Sequence, residues 1–180
     1  MKRKVVLSSY CRTVSVLIIV ALCCIFWWQL STPDVGWPVW VLLGAIVFLC
    51  LSALFYAPVS VTVDDAKLSV RSPLRTLSIP LAGIAGVKLC SPTMSEKRLI
   101  GSGGFFGYYG IFTEPSIGRY IASYGKSSDC FLVMLKNGRK YILGCADAAQ
   151  MVSAIQARLK HQPFTSSSGS RRKSKSPIIR

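Results

Sequence analysis

The chain has 180 residues, enough for one folded domain of ordinary size and a further short segment. Hydrophobic residues make up 51% of it and charged residues only 16%, yet 22 Lys and Arg stand against 7 Asp and Glu, a formal net charge of +15. This combination excludes a chain that is disordered throughout and is unusual for a soluble globular protein, whereas membrane spans flanked by cationic segments are typically composed this way.

Two uncharged runs in the first third of the chain predict transmembrane helices. Residues 14–30 contain no charge, and as a helix they would rise about 26 Å. Residues 37–56 are also uncharged and would rise about 30 Å, which matches a hydrocarbon core of roughly 30 Å. The connector between them, STPDVG at residues 31–36, is short and rich in turn-forming residues, so we expect an antiparallel hairpin.

The charges beside these runs predict their orientation. Four basic residues precede or flank the first run, whereas the connector contains only Asp34; the four are Lys2, Arg3, Lys4 and Arg12. Because positive charge stays on the cytoplasmic side, we expect both termini in the cytoplasm and the hairpin in the cell's inner membrane. All four Trp, at positions 27, 28, 37 and 40, lie close to the connector, as an interfacial aromatic belt would.

The sequence disfavours two other interpretations of these runs. A cleaved signal peptide also begins with basic residues and an apolar run, but residues 29–36 contain no small-x-small cleavage site. A transport pathway would place ionisable side chains inside the membrane, and neither run contains Asp, Glu, Lys, Arg or His. The hairpin is therefore predicted to be an anchor.

After residue 58 the pattern changes to short alternating strands and ends in one amphipathic helix. Seven strands are predicted, at residues 59–63, 67–71, 74–79, 84–90, 118–124, 130–135 and 140–143. Asn137-Gly138 is the strongest hairpin signal, and residues 146–160 have the apolar spacing of a helix. The fold class predicted is α+β, with an antiparallel sheet bent into an open barrel and capped by the helix.

This pattern divides the chain into four parts. They are a basic N-terminus at residues 1–12, the transmembrane hairpin at 13–56, the sheet domain at 57–160 and a Ser-rich basic tail at 161–180. The tail has almost no apolar residues before Ile178, so we expect it to be disordered.

The chain has about seven predicted strands before a single C-terminal helix, directly after a transmembrane hairpin, with the insert GGFFGYYG at residues 103–110. In this it resembles the bacterial pleckstrin-homology (PH-like) domain proteins. The resemblance covers residues 59–160. It implies a non-catalytic scaffold, without a cofactor, that binds lipids or proteins or self-associates. The basic signature with which many eukaryotic relatives bind phosphoinositides has a different spacing from Lys67, Arg71 and Arg75 here.

Charge and tethering select the candidate binding residues. Residues 57–164 include 13 Lys and Arg but 6 Asp and Glu, and a basic residue held near an anionic leaflet contributes about 1 kcal/mol. We predict a surface that contacts lipid head groups or an acidic protein partner through Lys67, Arg71, Arg75 and Lys88. The Gly-rich segment is predicted to be a loop whose aromatic side chains either fill the open end of the barrel or enter the bilayer; they are Phe105, Phe106, Tyr108 and Tyr109.

Motifs for other chemistry are weak. No Lys-Ser/Thr pair follows the glycines, as a phosphate-binding loop requires, and the seven Cys include no Cys-x-x-Cys pair to join the single His161 in a metal site. Ser123 and Lys126 match the Ser-x-x-Lys of serine acyl-enzymes without its companion motifs. We therefore expect neither an enzyme nor a metal site, and nothing in the domain is typical of a nucleic-acid reader.

A structural role is the main alternative. Copies of the chain would associate through a sheet edge or the aromatic segment, and the helices would pack through small residues of the second run, namely Gly44, Ala45, Ser52 and Ala53.

Overall fold

The computed structural model describes residues 1–31, 36–93 and 96–161. Three α-helices lie in these ranges: α1 (Ser9–Ser31), α2 (Trp37–Tyr56) and α3 (Ala148–His161). The ten strands found there are β1 (Lys2–Lys4), β2 (Ser60–Val63), β3 (Lys67–Arg71), β4 (Thr76–Pro80), β5 (Ile84–Leu89), β6 (Lys97–Gly104), β7 (Gly107–Glu114), β8 (Gly118–Tyr124), β9 (Cys130–Leu135) and β10 (Lys140–Gly144). Most of the connector and nearly all of the predicted disordered tail lie outside the described residues.

The strands form two sheets that do not close into a barrel, so the predicted barrel was wrong. One sheet has the order β1-β2-β3-β4 and the other β5-β9-β10-β8-β7-β6. Strand β4 ends at Pro80, and a 3-10 turn (Leu81–Gly83) carries the chain into the second sheet without a ladder between β4 and β5. The prediction of a wholly antiparallel sheet was also wrong, because β10 returns from β9 into the place beside β8 and pairs with it in parallel.

The main hydrophobic core combines side chains of both sheets and α3. Fully buried members include Val61 and Leu68 from the first sheet, Phe131 from the second, and Met151 and Ile155 from the helix. Burial of each such side chain contributes about 1.5 to 3 kcal/mol. The amphipathic C-terminal helix was predicted correctly, and its apolar face covers this core.

Strand β1 consists of the basic residues at the start of the chain. The amino group of Met1 donates to Val63 O at 2.8 Å, Val63 N–H donates to Met1 O at 2.8 Å, and Val5 N–H donates to Val59 O at 2.9 Å. The strand registers Lys2 with Thr62, Arg3 with Val61 and Lys4 with Ser60. Helices α1 and α2 are therefore inserted between neighbouring strands of one sheet, and residues 1–7 lie on the same side of the helices as the sheet domain.

The two N-terminal helices are long and apolar enough to cross a membrane, and only 6% and 11% of their most apolar windows are buried. Helix α2 has the predicted bounds, but α1 begins at Ser9 instead of residue 14. Its polar first turn is held by Ser8, whose Oγ accepts the N–H of Cys11 at 3.1 Å as an N-cap.

The Gly-rich segment at residues 103–110 forms part of the hairpin β6–β7, so the prediction of a loop there was wrong. Gly104 pairs with Gly107 around a two-residue tip, and Gly101 pairs with Gly110. A Cβ on Gly101 would lie 2.1 Å from the backbone oxygen of Tyr109, and one on Gly110 would lie 2.2 Å from that of Ile100. Glycine therefore recurs every third residue, at positions 101, 104, 107 and 110, because these residues pair with one another across a hairpin whose strands approach closely.

The β1–β2 ladder is tested by Arg3→Pro. Proline removes a backbone donor from the strand, and we expect the full chain in detergent micelles to lose about 1 to 3 kcal/mol of stability, measured as a lower unfolding midpoint. Arg3→Ala removes the salt bridge with Asp147 at 3.1 Å but keeps the backbone donor, and should cost less. Equal midpoints for the two variants would show that the ladder does not hold β1.

Candidate functional site

The C-terminal end of α2 is bound to the turn between β3 and β4. In a helix the carbonyl of Leu54 would accept from the amide of residue 58, but Pro58 has no N–H. The amide of Leu74 takes that place and donates to Leu54 O at 3.1 Å. The turn that carries Leu74 is closed by a bond from Ser72 N–H to Arg75 O at 2.7 Å. One tight turn of the sheet domain is therefore fixed against the last turn of α2.

Aromatic and cationic groups pack in a column beside this contact. The guanidinium of Arg75 lies 5.7 Å from the centre of the Tyr56 ring. The Tyr56 ring is also stacked on the ring of Tyr109, with centroids 6.1 Å apart and planes 13° from parallel. Such an aromatic pair contributes about 0.5 to 1.5 kcal/mol beyond its burial, and an exposed cation–π contact about 0.5 to 1. The column joins β7, α2 and the β3–β4 turn.

The tip of the β6–β7 hairpin is bound to α1. The amide of Phe106 donates to Ser15 Oγ at 2.8 Å, and the Ser15 hydroxyl donates to Cys11 O at 2.7 Å. Phe106 has φ 54°, a conformation that costs a non-Gly residue about 1 kcal/mol or more. A Cβ on Gly104 would lie 3.4 Å from the Tyr10 ring, so the hairpin fits closely on the helix.

The start of α1 forms the third contact. Gly125, just after β8, accepts the N–H of Ser8 at 3.0 Å, and its carbonyl also lies 3.6 Å from the Cys11 thiol. A Cβ on Gly125 would lie 2.5 Å from the oxygen of Val6, so only glycine permits this approach. We call the end of the sheet domain that bears these three contacts the helix-proximal end.

A family model described as "Bacterial PH domain" matches residues 59–159, more than half of the chain. The chain belongs to the bacterial PH domain family. No curated protein and no solved structure matches it. PH domains are generally non-catalytic interaction modules, and the two N-terminal helices precede the matched region. Strand β1 also lies outside the matched residues, although it completes the first sheet of the PH domain.

The four predicted basic residues do not form one cluster on the PH domain. Arg75 and Arg71 lie at the helix-proximal end, Arg75 against Tyr56 and Arg71 in register with Ser60. Lys67 is at the other end of β3, about 13 Å along the strand from Arg71. Lys88 is exposed on β5, in register with Leu132. The binding role of all four remains a prediction.

The four predicted aromatic residues are divided between the protein interior and the surface. Phe105 and Tyr109 are buried, and Tyr108 is half-buried and stacked on Tyr124 with centroids 4.8 Å apart. Phe106 remains exposed, at the level of Ser15 on α1. Phe106 is thus the exposed side chain of this set, and its contact with a bilayer remains a prediction.

Three further cations lie at the helix-proximal end that were not predicted as site residues. Lys4 ends β1, Arg12 lies in the second turn of α1, and Lys126 follows Gly125. Arg12 could have been identified from its position two residues before the apolar run. If the helix begins before that run, Arg12 lies on the helix beside the domain's helix-proximal end.

A second hydrophobic cluster, which includes Tyr120 and Tyr124, lies on the other face of the six-stranded sheet and carries a polar contact. Both oxygens of Glu96 lie within 3.0 Å of the Tyr124 hydroxyl, and the Tyr120 hydroxyl donates to Glu96 at 2.6 Å. Burial, together with the neighbouring Glu96 carboxylate, raises the pKa of Tyr120 and of Tyr124 far above the ordinary value. Burial likewise raises the pKa of the Cys145 thiol to about 11, so at neutral pH it is a protonated, unreactive core residue.

The described residues contain no group of three or more His, Cys, Asp or Glu side chains that could hold a metal ion. Glu114 is the most buried acid described; its Oε1 accepts from Thr93 at 2.7 Å and from Ser116 at 2.9 Å. These contacts are typical of a carboxylate that closes a turn. The helix-proximal end, with its cations and helix contacts, is therefore the candidate functional site.

The hairpin contact with α1 is tested by Ser15→Ala. This change leaves the Phe106 amide without its acceptor, and the loss of about 1 to 3 kcal/mol should accelerate hydrogen exchange at that amide about 5- to 100-fold. Ser15→Thr keeps a hydroxyl and should retain the protection. The amide of Gly138, which donates to Leu135 O at 3.0 Å in a distant turn, serves as the internal reference. Identical exchange in the Ala and Thr variants would contradict the contact.

The buried tyrosines predict instability in alkali. Because their pKa is raised in the folded state, the unfolded chain loses these protons first, above the ordinary tyrosine value of 10.0. The stabilisation is complete below that pH and is lost as the pH rises further. Absorbance of tyrosinate should therefore increase in a step that coincides with unfolding, and Glu96→Gln should move the step to lower pH by weakening the hydrogen bonds. A smooth titration of all tyrosines in the folded protein would be the contrary result.

Proposed function

We propose that the protein is a membrane-anchored, non-catalytic interaction module. In this proposal α1 and α2 cross the cell's inner membrane, both helix ends that join the PH domain lie in the cytoplasm, and the domain's helix-proximal end faces anionic head groups. The single observation that carries the proposal is that two separate hydrogen bonds, from Leu74 N–H to Leu54 O and from Phe106 N–H to Ser15 Oγ, fix that end of the domain against the two apolar helices.

The exposure of the helices supports the membrane part of the proposal. Long apolar helices that are about nine-tenths unburied within the chain would be strongly unfavourable in water, and lipid removes that cost. The pairing of β1 with β2 requires the start of α1 and the end of α2 to share one side of the membrane. The excess of Lys and Arg on that side favours the cytoplasm.

Charge supports the lipid part of the proposal. Cations at the helix-proximal end include Lys4, Arg12, Arg71, Arg75 and Lys126. Two of the acids in the domain are already engaged, since Asp147 is paired with Arg3 at 3.1 Å and Glu96 accepts from the hydroxyl of Tyr124 at 2.9 Å. Each cation held near an anionic leaflet contributes about 1 kcal/mol, and side chains that snorkel beside an apolar surface keep that charge in the head-group layer.

The lipid contact is tested by measuring which lipids surround the full chain. In phosphatidylcholine vesicles we expect spin-labelled phosphatidylglycerol to be motionally restricted more than spin-labelled phosphatidylcholine, because the cations attract the anionic head group. High salt should reduce this preference by screening. The double variant Arg71→Gln, Arg75→Gln should lower it, and Lys136→Gln with Arg139→Gln, far from the helices, is the matched control.

Two outcomes would contradict the proposal. Equal restriction of both lipids by the unmodified chain would remove the electrostatic contact. Release of the chain from vesicles by an alkaline carbonate wash would show that the helices do not span the bilayer.

A structural role by self-assembly has its own supporting observations. Strand β6 is an edge of the six-stranded sheet, and its Leu99 and Ile100 are 53% and 69% exposed. On α2, Gly44 is exposed and a Cβ added there would meet nothing within 4 Å, which leaves a small residue free for contact between copies. Cysteine cross-linking from an Ile100→Cys variant in membranes separates the alternatives, since only assembly yields a defined dimer band.

A further inference from the structure

The β6–β7 hairpin extends along α1 to the part of that helix predicted to lie in the membrane. A Cβ on Gly104 would lie 3.8 Å from the Val14 side chain, and the amide of Phe106 donates to Ser15 Oγ at 2.8 Å. The uncharged run at residues 14–30 rises about 26 Å, less than a hydrocarbon core of roughly 30 Å. Ser15, the second residue of that run, therefore lies on the hydrocarbon side of the boundary. At the proposed location of α1, the tip of the hairpin lies below the head groups.

The tip is apolar, and a cation lies behind it. Residues 99–113 contain no charged residue, and Arg98 directly precedes them. The Arg98 guanidinium extends along the hairpin, since a Cβ on Gly103 would lie 3.2 Å from its Nη1. Two residues of strand, or about 7 Å, separate Gly103 from Phe105 at the tip. The hairpin thus presents apolar residues first and a cation next, which is the order of acyl chains and phosphates in a leaflet.

The turn has apolar residues where turns in water are polar. Hairpin turns in water favour Asn, Asp and Gly, as Asn137-Gly138 between β9 and β10 shows. The β6–β7 turn is instead Phe105-Phe106, whose rings pack edge to face with centroids 4.9 Å apart. Phe106 adopts φ 54° there, and its side chain is 36% exposed. An exposed Phe at a strained turn position is unfavourable in water, and contact with acyl chains removes the hydration part of that cost.

Two polar backbone groups of the turn are bonded to side-chain hydroxyls. Hydrocarbon offers no hydrogen bonds, so an unpaired N–H or C=O is strongly unfavourable there. The Phe106 N–H donates to Ser15 Oγ, and the Ser102 hydroxyl donates to Phe105 O at 3.2 Å. Ser15 is buried, and its own hydroxyl donates to Cys11 O at 2.7 Å. Hydroxyls of the chain thus satisfy turn groups that water would satisfy on an ordinary surface loop.

We propose that the β6–β7 tip is inserted among the acyl chains of the cytoplasmic leaflet, with Phe106 in contact with lipid. Ser15 is the buried acceptor that allows the backbone of the turn to enter. The inference rests on the proposed function, because it requires α1 to span the membrane. It goes beyond that function, which places the PH domain at anionic head groups. Here the domain itself contributes a third membrane-inserted element, held by apolar contact that does not depend on lipid charge.

The test measures the depth of the tip in the full chain, reconstituted in phosphatidylcholine nanodiscs. A spin label is attached to one new Cys after Ala replaces the four Cys that are not buried, namely Cys23, Cys24, Cys50 and Cys90. In the Phe106→Cys variant we expect the label to collide mainly with oxygen, which concentrates in lipid, and little with a water-soluble nickel chelate. The ratio of the two collision rates should be about tenfold higher than in Arg139→Cys, whose label lies at an exposed turn far from the helices.

Adding Ser15→Ala to Phe106→Cys tests the role of the hydroxyl. The change leaves the amide of residue 106 without its acceptor, so we expect the tip to withdraw and the collision ratio to fall about fivefold. Ser15→Thr keeps a hydroxyl and should keep the ratio within about twofold of its original value. Circular dichroism of each variant confirms that the fold is retained.

Two results would overturn the inference. They are equal collision ratios at residues 106 and 139, and a ratio at residue 106 that Ser15→Ala leaves unchanged. If the ratios are equal while the full chain still prefers phosphatidylglycerol in vesicles, only the insertion of the tip is excluded. Absence of that preference together with a high ratio at residue 106 would exclude the head-group contact and support the inserted tip.

Discussion

The pairing of β1 with β2 joins residues that lie 62 positions apart, from Met1 to Val63, and it encloses the whole helical hairpin between two neighbouring strands. A sheet neighbour must lie within about 5 Å, so this ladder brings the start of α1 and the end of α2 to one edge of the PH domain. Ser8 reaches Gly125 because β1 returns the start of α1 to this edge, and Leu74 reaches Leu54 at the same edge, where α2 enters β2.

The second consequence is a restricted orientation of the PH domain relative to its helices. A domain on one flexible linker could rotate freely and present any face. Here two covalent connections and the bonds to Leu54 and Ser15 hold it at several separated points. The positive φ of Phe106 belongs to this arrangement. This backbone conformation costs energy, but it directs the Phe106 N–H to the Ser15 hydroxyl. The set of charges that faces the helices is therefore a fixed property of the fold.

Local patterns predicted the elements that depend on local interactions. Strand β3 alternates over Lys67–Arg71 and was found at those residues, and the turn at Asn137-Gly138 joins β9 to β10 with φ 81° at Gly138. Strand β1 has no alternation and is held only by a partner remote in sequence, so no local pattern marks it. In β6 and β7 the glycines required for close approach replace the apolar side chains that would have shown a period of two.

The candidate site shows the same limit. Sequence composition located an excess of cations in the domain but not the end of the molecule at which each cation lies. A strand of five residues is long enough to place Lys67 and Arg71 at opposite ends. The sheet is interrupted between β4 and β5, where a 3-10 turn stands instead of a ladder, and neither strand alone carries information about this interruption. Only the pairing of distant segments decides which charges share a surface.

Helix α1 has two stripes with different surroundings within the same two turns. One stripe carries Ser15 and Cys11, which bind the hairpin tip and the end of β8; the other carries Arg12 and its neighbours and faces outward. Because helical backbone is stiff over this length, a displacement of α1 along its axis moves both stripes together. The contacts of the first stripe continue through the β6–β7 hairpin, from Phe106 at its tip to Tyr109, which stacks on Tyr56 of α2. The Arg75 guanidinium lies against the same Tyr56 ring, so one continuous set of contacts joins both helices to the β3–β4 turn.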